Sequence, residues 1–145
     1  ESAARRLRIC LDADALFAGA ASDTGASHVV LQLGELGISE VGLPVQAREE
    51  AERNLAVTLP PALPALRALI DACTVPLPMA PAAAAGRLAR AREAHPKDAP
   101  ILASAIAARC EWLITFNLRD YRTTRLRVDE PGPFLEELRQ RLVQV

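Results

Sequence analysis

The sequence predicts an α/β fold: a three-layer sandwich with a mostly parallel, short-stranded sheet flanked by helices, in a single domain spanning residues 1–145. Three observations predict it. Short continuous apolar runs, "LRICL" above all, fit strands buried on both faces. Segments with apolar residues at helical spacing separate these runs, and alternation of helix with strand is the pattern of a parallel sheet. The chain has 145 residues, is 50% hydrophobic and only 3% aromatic, so it can bury one core built from Leu, Val, Ile and Ala.

In chain order, "LRICL" (7–11) is the first strand, and "DALFAGAAS" changes to helical spacing with Ala15, Leu16, Ala18 and Gly19 close-packed. Gly25 restarts the chain into the helix "ASHVVLQLGELG", with Val29, Val30 and Leu33 inward and Gly37 past its end. "ISEVGLP" is a short strand or turn. "VQAREEAERNLAV" is a charged helix with Val45, Ala51 and Leu55 on one face, and "PPALPALRALIDAC" is a helix whose early prolines fit its first turn. "TVPLP" is a brief strand, Pro78 to Pro81 mark a loop, and "AAAAGRLARAREA" is a helix. A helix from about Pro100 to Arg109 leads to the strand "EWLITF"; a turn, the strand "RLRV" and the amphipathic helix "PGPFLEELRQRLVQV" complete the chain.

The formal net charge of −1 gives no global pull toward nucleic acid or membrane. Lys97 is the only lysine; the other basic residues are arginines, the better bidentate partners for phosphate. Cys10, Cys73 and Cys110 are widely spaced in apolar contexts and His28 and His95 do not cluster with them, so buried reduced thiols fit better than zinc. Basic residues precede an apolar run near the N-terminus, but Asp12 and Asp14 interrupt it, which argues against a secretory signal. No apolar stretch reaches membrane-spanning length. The expectation is a soluble cytoplasmic protein.

The acids carry the functional signal. In open α/β sheets, sites form beyond the carboxyl ends of strands where strand order switches. Asp12 and Asp14 follow the first strand, Asn117 and Asp120 follow "EWLITF", Asp98 opens the helix feeding that strand, and Glu49, Glu50 and Glu52 lie near the start of a helix after "ISEVG". Carboxylates gathered together raise one another's pKa unless a cation lies between them. Hard ions such as Mg²⁺ or Mn²⁺ prefer such an all-oxygen set, and the chemistry suggested is phosphodiester hydrolysis. Plainer roles compete: Asp98 as a helix N-cap, Asn117 and Asp120 as turn residues, and the glutamates as a solvated face. Asp12 is hardest to explain away, because an acid closing a buried strand must be paired. Trp112 and Phe116 read as core rather than as stacking platforms, and Arg125 and Arg127 as alternating onto one face of a charged edge strand.

The segments "ICLDADALFAGAAS", "REEAERNL" and "KDAPILASAIAARCEWLITFNLRDY", with their spacing, resemble the PIN-domain family of metal-dependent nucleases, which includes VapC-type toxins of toxin–antitoxin pairs. The resemblance runs from about residue 7 to 128, and its last block is the most specific. It implies that Asp12, Glu50 and Asp98 are the first three acids of a Mg²⁺ or Mn²⁺ site, Glu50 because Ala51 and Leu55 follow at apolar positions. The family often has an acid where Asn117 stands, and Asp120 is the substitute; Asp14 and Ala13 replace a common Asn and a hydroxyl residue. The resemblance further implies an RNA substrate, an antitoxin partner and a homodimer, for which the amphipathic C-terminal helix offers an apolar face. Thr115 is a candidate to orient a phosphate, and Arg119 and Arg122 to bind substrate. One rival is a degenerate PIN domain that binds RNA or protein without cleaving. Another is a receiver domain, which would need a lysine after a late strand, whereas Lys97 precedes a helix.

Overall fold

A computed structural model of the chain describes residues 6–144. Five strands, β1 (Leu7–Leu11), β2 (Ser39–Pro44), β3 (Val75–Leu77), β4 (Trp112–Ile114) and β5 (Arg127–Asp129), form one sheet in the order β3-β2-β1-β4-β5. Every pairing is parallel. The helices are α1 (Ala13–Ala21), α2 (Ala26–Glu35), α3 (Val45–Thr58), α4 (Leu63–Cys73), α5 (Ala82–Arg90), α6 (Ala99–Ala107) and α7 (Pro131–Val143). Short 3₁₀ turns lie at Pro60–Ala62 and Leu118–Asp120.

The α/β sandwich is as expected, and its sheet is wholly parallel. Right-handed crossovers carry β1 to β2 and β2 to β3 over one face and return from β3 to β4 over the other. Accordingly α2 packs on α1, α4 and α7, whereas α5 packs on α6. The chain therefore reverses its order beside β1, between β1 and β4. Ile9, Cys10, Leu11, Leu113 and Ile114 are fully buried there, which explains why "LRICL" is apolar without alternation. At the far edge, Phe134 of α7 meets Trp112 edge-on with ring centroids 5.0 Å apart, and the Arg127 guanidinium lies 4.1 Å over the Trp112 ring.

Several local expectations change. Val29 is exposed, whereas Val30 and, in part, Leu33 face the core as expected, joined by Ser27 and Leu31. Val45, at the first position of α3, is also exposed; the inward line is Ala47, Ala51 and Leu55, one residue per turn. Gly37 does end α2, at φ 76°, with the Ile38 N–H donating to the Leu33 carbonyl. The same turn ends α5 early, at Arg90 rather than near Ala94, because Arg92 takes φ 59° and the Glu93 N–H reaches the Leu88 carbonyl. Arg109, at φ 61°, does likewise after α6. The β4 strand stops before Phe116, which is 45% exposed rather than part of the core, because its N–H is drawn to Asp14 Oδ2 at 2.9 Å and the chain turns outward. Arg125 and Arg127 do not share a strand face: Arg125 precedes β5 and pairs with Glu93 at 2.9 Å, while Arg127 covers Trp112. The cysteines are free and buried, and the Cys10 thiol donates to the Leu11 carbonyl at 3.9 Å. Val145, the end of the expected C-terminal helix, lies outside the described residues, as do residues 1–5 of the basic N-terminal stretch. No helix among the described residues is long and apolar enough to cross a membrane.

Of the glycines, Gly34 has the least room for a side chain. A Cβ there would run into the Cys73 carbonyl oxygen and stand 2.9 Å from Val41 Cγ2, so α2 approaches the end of α4 only because this position lacks a side chain. Gly34→Ala should lower stability by roughly 2–3 kcal/mol despite the better helix propensity of alanine, as read from urea midpoints. A midpoint equal to that of the unmodified chain would show that the two helices can separate freely.

Candidate metal centre

The site begins with Asp12. It follows β1 directly, is 6% exposed, and forms the N-cap of α1 by accepting from the Ala13 N–H at 2.8 Å. Its other oxygen, Oδ2, accepts from the Tyr121 hydroxyl at 3.0 Å and faces the Thr115 hydroxyl at 3.2 Å. Asp14, in the first turn of the same helix, accepts from the Ala15 and Phe116 N–H groups at 2.6 and 2.9 Å and lies 3.3 Å from the same Thr115 hydroxyl. Thr115 is fully buried at the end of β4, and its oxygen accepts from the Asn117 N–H. One hydroxyl proton serves two carboxylates, so Thr115 donates to Asp12 or to Asp14 but not to both at once. Burial, then the charge of Asp12, pushes the Asp14 pKa up.

Asp98 stands at the first position before α6, but it is not the cap that the sequence suggests. Its backbone is helical (φ −101°, ψ −9°) and its side chain accepts nothing from the first turn. Its Oδ2 is buried without a partner. Burial pushes its pKa up to about 6, with the negative charges of Asp12 and Asp120 adding to the effect and Lys97 opposing it weakly. Tyr121 is pushed far up by burial and by the charges of Asp12 and Asp98, so it stays a phenol that donates to Asp12. Asp120 closes the 3₁₀ turn Leu118–Asp120, which swings it back beside Asp98, and it makes no ion pair with Arg119 or Arg122. Asn117 is exposed; only its backbone is engaged, through the Thr115 hydroxyl.

Four aspartates from three segments thus meet at the switch point between β1 and β4. Glu50 is not drawn into their hydrogen bonds. It is half-buried on α3, one helical turn beyond Gln46, and it is Gln46 that reaches α6, donating to the Pro100 carbonyl at 3.3 Å and to Ser104 Oγ at 3.2 Å. Gln46 Oε1 is buried with no partner. Sequence reasoning missed Gln46 and Tyr121, since neither is acidic; it placed Asp14 with Asp12 after the first strand but left it out of the expected ligand set. The spacing of Tyr121, directly after Asp120, was the available signal. Arg119 and Arg122 are exposed beside Asp120.

The donor set fits a hard divalent cation. It is oxygen-only, it carries excess negative charge, and it holds an orphaned buried carboxylate oxygen on Asp98. Among the described residues no three acid, imidazole or thiol groups are yet drawn tightly enough to enclose an ion unaided. Carboxylates brought near one another repel, and a cation between them would oppose that repulsion.

The raised Asp98 pKa fixes a sign. Between about pH 4 and its folded value of about 6, the folded chain binds more protons at Asp98 than the unfolded chain. Stability of the metal-free protein therefore falls as pH rises through that window. Asp98→Asn should flatten the fall, matching the unmodified chain near pH 4 and exceeding it at pH 7 by on the order of 1 kcal/mol, since solvent screens part of the charge. Thermal melts in chelator across this range check it; parallel curves for the two proteins would mean that Asp98 ionises normally.

No family model and no curated protein sequence matches the chain. Its fold, however, matches solved structures. PAE2754 from Pyrobaculum aerophilum superposes with a TM-score of 0.66 at 16% identity, over 90% of this chain and 88% of that one. VapBC2 from Rickettsia felis, bound to a DNA fragment from their promoter, superposes with a TM-score of 0.66 at 13% identity, over 86% of this chain and 98% of that one. At such identities the likeness is one of fold, and the chain has the PIN-domain, VapC-like fold.

Proposed function

We propose that the protein is a Mg²⁺- or Mn²⁺-dependent endoribonuclease that hydrolyses RNA phosphodiester bonds, the toxin of a toxin–antitoxin pair. The observation that carries this reading is Asp98: a carboxylate with an orphaned buried oxygen, beside Asp12 and Asp120, at the switch point of a parallel sheet. Asp12, Asp98 and Asp120 would hold the ion, with Asp14 behind them and Glu50 the remaining acid on α3. When bound, such an ion supplies charge neutralisation for a phosphate and activation of water for in-line attack. The chain's own residues do the positioning. Tyr121 and Thr115 fix the Asp12 carboxylate by hydrogen bonds at 3.0 and 3.2 Å, and the Phe116 N–H fixes Asp14 at 2.9 Å. Phe116 turns its ring outward one residue from Thr115, where an unstacked base of a single strand can lie against it. The solved VapBC2 structure supports an antitoxin protein as partner. A homodimer and a cytoplasmic location complete the proposal.

Two observations favour a second reading, a PIN domain that binds RNA or protein without cleaving. The α3 side chain that reaches α6 is the neutral Gln46, and Asn117 follows β4 where an acid is common in the family.

Incubation with a mixed RNA pool and Mn²⁺ or Mg²⁺ decides between them. The unmodified chain should cleave, and chelator should stop it. Asp98→Asn should lose more than the roughly 10–100-fold that substitutions around a metal site cost, and Mn²⁺ should raise the melting temperature of the unmodified chain but not of this variant. Binding of RNA without cleavage in either metal would establish the second reading.

A further inference from the structure

Beside the acids lies a pocket of about 370 Å³ lined by Arg92, His95, Arg119 and Arg122, with Asp120 as a shared wall. Its volume is that of a small ligand site. Its two sides come from the turn after α5 and the turn after β4, and backbone hydrogen bonds lock them together. The His95 N–H donates to the Asp120 carbonyl at 2.8 Å, the Arg122 N–H to the Glu93 carbonyl at 2.7 Å, and Ala94 bridges to Tyr121. The arginines are thus carried on a fixed frame.

Their guanidinium groups form no hydrogen bond or ion pair among the described residues. Among the described residues, Arg8, Arg48, Arg67, Arg125 and Arg139 each pair with a carboxylate, whereas Arg92, Arg119 and Arg122 pair with none. The nearest glutamate, Glu93, is engaged by Arg125 through two nitrogens at 2.9 Å. Three like charges facing one space repel, and an anion placed among them removes that repulsion while accepting from forked donors. His95 accepts the Lys97 N–H on Nδ1 at 3.1 Å, which leaves Nε2 to carry its proton as a further donor.

We propose that this pocket holds a backbone phosphate of a single-stranded nucleic acid, the neighbour of the phosphate presented to Asp12, Asp98 and Asp120. The proposal rests on the nuclease reading and adds Arg92 and His95 to the substrate contacts. Acids alone repel a polyanion; the arginine pocket supplies the affinity that brings one to them. Asp120, between the two, faces the strand from one phosphate to the next.

The test separates binding from cleavage. Anisotropy of a short end-labelled single-stranded RNA is measured in chelator, over a salt series, for the unmodified chain and for Arg92→Gln, Arg119→Gln, Arg122→Gln and Arg109→Gln. Arg109 is the control, since it has the same left-handed backbone as Arg92, at φ 61° against 59°, at the far end of α6. Each pocket variant should bind about five- to tenfold more weakly, the triple variant should lower the salt slope by about 0.7 per lost phosphate contact, and the control should be unchanged. Inorganic phosphate should compete only weakly, because the pocket takes one phosphate of a chain. Equal affinity and slope for the pocket variants, no RNA binding by the unmodified chain, or displacement of RNA by inorganic phosphate at low concentration would each overturn the proposal. Cleavage in Mn²⁺ reports separately on the nuclease: a chain that binds through the arginines and does not cleave keeps the pocket and loses the enzyme, and one that cleaves with unaffected pocket variants does the reverse.

Discussion

Asp12 sits where water cannot solvate it, at the carboxyl end of a strand buried on both faces and 6% exposed. An ionised carboxylate in that position needs donors, and the fold supplies them from three directions: the first N–H of α1, the Tyr121 hydroxyl and the Thr115 hydroxyl. Each donor constrains a different part of the chain. The α1 N–H fixes how the helix leaves β1, Thr115 fixes where β4 ends, and Tyr121 fixes the turn after it. Removing the acid would leave the α1 N–H and the Tyr121 hydroxyl without their shared acceptor and leave Thr115 with Asp14 alone, so local structure and chemistry are coupled at one side chain.

The same coupling explains why the acids come close but stop short of closing. Asp12 and Asp14 have their charges answered by hydrogen bonds, from the N-terminus of α1, whose dipole favours negative charge, and from Thr115, Phe116 and Tyr121. Asp98 and Asp120 have only each other and a weak pull from Lys97. The unresolved charge is therefore concentrated on the side of the site that faces α6 and the Leu118–Asp120 turn, and this is the side on which the arginine pocket opens. Negative and positive groups are adjacent but unpaired, an arrangement that neutral folding does not need and that a polyanion with a cation satisfies at once.

The backbone devices that hold this edge are modest ones. Left-handed residues end α2, α5 and α6, and only the first is glycine. At Arg92 the turn aims the chain back toward β4 and puts the 93–95 segment in reach of residues 120–122, where the backbone bonds form. The early end of α5 is thus part of the site's construction: a helix continued to Ala94 would leave no strand-like segment to brace Asp120.

The α/β class, the strand positions and the grouping of Asp12, Asp98 and Asp120 were legible in the sequence because each rests on local pattern: an apolar run too continuous for a surface, then an acid directly after a strand at Asp12, one opening a helix at Asp98 and one in the turn beyond a strand at Asp120. What needed the tertiary structure were the relations between distant segments. Asp98 reads as a cap until burial and the absence of any first-turn bond show its oxygen unclaimed. Phe116 reads as core until Asp14, about a hundred positions earlier in the chain, draws its N–H away from the strand. The helix α3 reads as an acidic face at Glu50, yet the residue that crosses to α6 is Gln46, one turn earlier on the same helix, a contact that depends on how α3 and α6 pack. Sequence records which groups carry charge; only the packed sheet decides which of those charges face one another, because their energies depend on burial and separation in space rather than along the chain.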